Sequence, residues 1–127
     1  MEHGSLVAFL NGSLDAAAFG SEIAAEVRAC VEACASGHAG SVIIADGPLT
    51  EVTRAQVIRL FEAFAGGELT FEKANYIADA LIMSDHFCFA DETVIDAIHF
   101  LSDETSLPGA EDVAAELARL KHAAIDR

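Results

Sequence analysis

The sequence predicts an all-α fold, a single-domain bundle of about five to six helices over residues 1–127 with at most one short extended segment at 41–45. Three observations predict it. Apolar residues recur at intervals of three and four in most segments, the period of one helix face. Glycine and proline cut the chain into short pieces with no linker-like tract between them. A length of 127 residues closes one hydrophobic core and falls short of two.

The first predicted helix runs from Ser5 to Leu10 and stops at Asn11-Gly12, where glycine suits a left-handed helix end. Ser13 is expected to cap the second, with Asp15 at the positive end of its dipole. Ile23, Val27, Cys30 and Cys34 follow at steps of four, three and four, which places both cysteines on the expected buried stripe. "SVIIA" at 41–45 is a brief β-branched run closed by Asp46-Gly47-Pro48; it reads as a strand or as an extended buried segment. Thr53 and Gln56 match a capping box for the third helix, whose inner stripe is Val57, Leu60, Phe61 and Phe64. Thr70 caps the fourth and Asp91 the fifth. The last helix follows "SLPG", lining one side with Val113, Leu117, Leu120 and Ala124.

Composition narrows the function. Against 21 acidic residues stand 7 basic ones, a formal net charge of −14, which repels nucleic-acid phosphates and anionic membrane surfaces. A basic protein is the electrostatically natural partner. No apolar run approaches the ~18 residues of a membrane span, and the acidic start "MEHGSLVAFLNG" does not read as a signal peptide, so a cytoplasmic location is expected. Three cysteines, Cys30, Cys34 and Cys88, make a disulfide framework a poor reading.

Asp85, His86, Cys88, Asp91 and Glu92 are ligand-competent types packed into a short stretch, with His99 on the following helix. A metal or thiol site around Cys88 with His86 or His99 is therefore one reading. Zinc wants about four convergent donors, commonly in short pairs such as C-x2-C, and Cys88 has no such partner; no metal and no cofactor is expected. Calcium-loop, phosphate-loop and nucleophile-elbow patterns are missing from the sequence, and the chain is not expected to be an enzyme. On the structural reading Phe87 and Phe89 anchor a connection, Cys88 is a small packing residue and Asp91 is a cap.

Residues 76–104 contain two similar phrases, in which Asp79-Ala80-Leu81 matches Asp96-Ala97-Ile98 and each phrase closes on Ser-Asp. They read as two helices obeying one rule: small residues at a close crossing, aliphatics inward, acids out. The carboxylates at the helix ends, Asp85, Asp91, Glu92, Asp103 and Glu104, are the candidate partner-binding residues. Asp103 and Glu104 lie at a C-terminal end, where the helix dipole penalises each by about 0.3 to 1 kcal/mol.

Residues 6–27, "LVAFLNGSLDAAAFGSEIAAEV", resemble the opening of small bacterial immunity proteins of the colicin-immunity-like kind. Phe9-Leu10-Asn11-Gly12 stands for an FLNG-like phrase, Ser13 to Ala18 for a cap rich in Ser, Ala and Asp, and Phe19 and Glu22 for a Phe followed by a Glu. The chain has no tryptophan where that family carries them. The resemblance implies an acidic helical domain that blocks a toxin, often a basic nuclease, by occluding its active site. Beside it stands a second expectation, a self-associating structural or regulatory domain whose apolar excess covers a homodimer interface.

Overall fold

The computed structural model describes residues 1–37, 42–103 and 107–125, with the backbone alone for 123–125. Among the described residues it has six helices and two short strands: α1 (His3–Asn11), α2 (Ala16–Ala35), β1 (Thr50–Val52), α3 (Arg54–Ala65), α4 (Phe71–Met83), β2 (Phe87–Phe89), α5 (Glu92–Ser102) and α6 (Ala110–Ile125). The helical class stands, as does the order of helices.

Helix starts follow side-chain chemistry. The Asp15 carboxylate accepts from the Ala18 N–H at 2.7 Å, so the cap of α2 is Asp15, two residues beyond the expected Ser13. Thr53 and Gln56 form the reciprocal box at α3, Thr70 caps α4 and Asp91 caps α5. Gly12 ends α1 at φ 85°, a conformation that favours a residue without Cβ.

The extended structure lies elsewhere than 41–45. Ser41 is outside the described residues, and Val42 to Ala45 form no strand of the sheet. The sheet pairs β1 with β2 in parallel, with Thr50 opposite Phe87, Glu51 opposite Cys88 and Val52 opposite Phe89. Parallel strands need a long crossover, which α3 and α4 supply.

The chain from Thr50 onward is two successive strand–helix–helix units, β1-α3-α4 and β2-α5-α6. They exchange partners: α3 packs most extensively on α6, and α4 on α5. Val57 and Ile58 hold the places in the first unit that Val94 and Ile95 hold in the second, and Val57 and Val94 are both fully buried. The resemblance between Asp79-Ala80-Leu81 and Asp96-Ala97-Ile98 therefore links two packed helices, while the structural repeat runs between the strand–helix–helix units. Ala80, Ala97, Leu81 and Ile98 are all buried, as a close crossing requires.

Helices α1 and α2 cover one side of this pair. Phe9 stacks on Phe19 at a centroid distance of 5.2 Å, and with Leu6, Leu10, Ile23, Phe61, Ile77 and Leu101 they form one continuous core. Burying a side chain of that size contributes about 1.5–3 kcal/mol each.

Candidate functional site: an acid-rimmed groove

Residues 42–49 form a strap between α2 and β1. The Met1 nitrogen donates to the Ile43 carbonyl at 3.0 Å, and the Ala45 N–H donates to the Met1 carbonyl at 2.8 Å. These two bonds are the pattern of a parallel β-bridge centred on Met1 and Ile44. The Ile43 N–H donates to the Tyr76 hydroxyl at 3.2 Å; that hydroxyl donates to Glu26 Oε2 at 3.0 Å, and Glu26 also takes the Met1 nitrogen at 2.7 Å. Tyr76 is buried, and burial first, with a smaller contribution from the Glu26 carboxylate, holds its phenol pKa above the ordinary value; the hydrogen bond from Ile43 opposes this.

Farther along the strap, Gly47 lies flat on the buried imidazole of His3. A Cβ at Gly47 would collide with that ring, so no larger residue fits without displacement. His3 in turn stacks on Phe87, with centroids 4.7 Å apart and planes 18° apart. The strap is thereby referenced to β2.

The opposite wall is the end of α4. Ser84, at φ −78° and ψ 136°, turns the chain out of the helix, and its hydroxyl accepts from the His86 N–H at 3.1 Å. His86 Nε2 reaches across to Asp46 Oδ1 at 3.1 Å. Between the walls is an open groove of about 310 Å³, lined by Val42, Ile43, Ile44, Met83 and the acids Asp46 and Asp85. Ile43 is 67% exposed and Met83 65% exposed, while the Asp46 side chain is 93% exposed. Two large apolar side chains in water, flanked by two carboxylates, have the composition of a binding patch: an apolar centre with a charged rim.

The five carboxylates singled out in the sequence do not converge. Asp85 lies in the groove. Asp91 is turned inward: Oδ1 accepts from the Val94 N–H at 3.1 Å and Oδ2 from Arg54 Nε at 2.8 Å. Glu92 is exposed on the first turn of α5, and Asp103 is exposed at its other end, about 16 Å away at 1.5 Å per residue. Glu104 lies outside the described residues. Sequence reading missed Ile43 and Met83, because "SVIIA" reads as a strand or an extended buried segment and a single methionine at a helix end carries no signal of its own.

The thiols differ from expectation too. Cys34 and Cys88 are exposed and Cys30 is half-buried, so neither Cys34 nor Cys88 is a packing residue. Cys30 and Cys34 line a pocket of about 230 Å³ with Val31, Phe71 and Tyr76 between α2 and α4. Among the described residues no three His, Cys, Asp or Glu side chains gather as a metal site. No helix among them is long and apolar enough to cross a membrane. No protein-family model, curated protein or solved structure matches the chain.

Proposed function

We propose that the chain is an acidic helical binding protein whose partner is a basic protein, and that it acts as an inhibitor in the manner of immunity proteins rather than as an enzyme. The observation that carries this reading is the groove: Ile43 and Met83 stand exposed between Asp46 and Asp85 on a chain of net charge −14. Such a field speeds encounter with a cationic surface, and the apolar pair supplies the few central contacts that hold most binding energy. The likeness of residues 6–27 to the opening of colicin-immunity-like proteins supports the same direction.

Capture from the source lysate at low salt tests the reading. It predicts retention of a basic protein at one-to-one stoichiometry, released as salt is raised. Retention of only acidic proteins, or of none, contradicts it.

Self-association has one observation in its favour. Leu107 is 73% exposed beside an apolar pocket of about 300 Å³ lined by Phe64, Ala65, Pro108, Val113 and Leu117. Repulsion between two copies of charge −14 opposes it. Sedimentation at two concentrations separates the two, since only self-association makes the mass rise with concentration.

A further inference from the structure

The geometry points to an extended, cationic segment of the partner docking as an added strand along Val42–Asp46, with an apolar side chain set between Ile43 and Met83 and Lys or Arg side chains on Asp46 and Asp85. This rests on the reading that the partner is a basic protein, and specifies how that partner is held.

The argument starts from the backbone. In a strand, successive residues direct their N–H and C=O groups to opposite sides. Ile43 spends both of its groups, and Ala45 its N–H, on Met1 and Tyr76, on the inner side of the strap. Ile44 therefore directs its own pair the other way, and among the described residues neither its N–H nor its C=O has a hydrogen-bond partner. The strap is not a strand of the sheet, but its bridge-like bonds to Met1 leave an unpaired N–H and C=O at Ile44, the backbone feature that strand addition exploits. Ile44 also lines the groove, which places that edge beside the exposed apolar pair.

Side chains supply the selectivity. A segment lying along this edge meets Ile43 and Met83 as its apolar neighbours and Asp46 and Asp85 as its charged ones. The Asp46 side chain, 93% exposed, is bonded to His86 at 3.1 Å, and a guanidinium or ammonium group is a stronger competitor for that carboxylate than an imidazole. A neutral or acidic strand would offer no cation to the Asp46 and Asp85 carboxylates at the same edge.

A random linear peptide library displayed on phage and selected at low salt on the full chain tests the proposal. Expected are peptides with an aliphatic or aromatic residue flanked by Lys or Arg. N-methylation of each backbone nitrogen in turn should abolish binding at alternate positions, the mark of strand addition. Met83→Ser should weaken binding about tenfold or more, as loss of a central contact does. The pair Asp46→Asn and Asp85→Asn should weaken it and flatten its salt dependence.

Peptides without cationic residues, binding that survives Met83→Ser unchanged, N-methylation without alternation, or a second copy of the chain as competitor each overturn the proposal. A basic protein captured equally well by wild type and Met83→Ser overturns the groove and leaves the basic-partner reading standing. Cationic peptides that bind the groove as described, with no basic protein captured from lysate, support the strand mode while removing the reading of a basic protein partner.

Discussion

Arg54 and Asp91 hold corresponding places in the two strand–helix–helix units, and the structure joins them: Arg54 Nε lies 2.8 Å from Asp91 Oδ2. Both side chains are mostly buried, at 14% and 16% exposure. Arg54 opens α3 and Asp91 caps α5, so one ion pair ties the starts of two helices across the sheet. Arg54 Nη1 is buried without a partner among the described residues.

That geometry makes the pair asymmetric to mutation. Asp91→Ala removes the cap of α5 and strands a mostly buried guanidinium, and should cost about 2–4 kcal/mol in urea unfolding. Arg54→Met removes the cation together with its orphaned donor but leaves the Asp91 carboxylate, which keeps its bond from Val94 at the start of α5, and should cost less than Asp91→Ala. Equal losses from the two variants would contradict this assignment.

Thr53→Ala opens the capping box at α3 and should lower stability by about 1 kcal/mol. Gln56 is also bonded to Asn11 at 2.7 Å, so Gln56→Ala loosens the contact between α1 and α3 as well as the box. The two variants measured together in a double-mutant cycle should show coupling, since they break one reciprocal pair.

Tyr76 is the only tyrosine, so its ionisation is read directly in the ultraviolet. Its folded pKa is raised, so the stability it contributes is present below the ordinary value of about 10 and is lost as pH rises through the folded value. Tyrosinate absorbance in the native protein should therefore rise at a higher pH than in urea. Identical midpoints would mean that the hydroxyl is not buried against Glu26 and the strap.

Gly47→Ala places a methyl group against the His3 ring and should cost about 1–3 kcal/mol, the usual penalty of overpacking. Its local signature should be a shift in the His3 and Phe87 ring resonances in NMR. Ser13→Ala, at an exposed turn position replaced as cap by Asp15, should change stability by under about 0.5 kcal/mol.

Most of the helical framework was legible because its signals are local. A Thr, Asp or Gln at the start of a helix acts within three residues, and burial repeats every three or four; Thr53, Thr70, Asp91 and the stripe of Val57, Leu60 and Phe61 follow from that. The sheet was not legible. Strands of three residues carry no period, and Thr50–Val52 meets Phe87–Phe89 only after two helices have brought them together. Of the residues lining the groove, the sequence singled out one, Asp85, as a candidate for partner binding. The groove's apolar half was hidden because exposure of Ile43 and Met83 depends on how the strap is hung from Met1 and Tyr76, a long-range arrangement that composition does not encode. Asp91 was correctly read as a cap, and the same inward geometry takes its carboxylate away from any partner.

The most direct measurement is the dissociation constant of the captured partner across a series of salt concentrations, for wild type and for the variant with Asp46→Asn and Asp85→Asn. The account predicts that wild-type affinity falls steadily with salt and that the double variant binds more weakly with a shallower slope. An affinity indifferent to salt, or identical slopes for the two proteins, would contradict it.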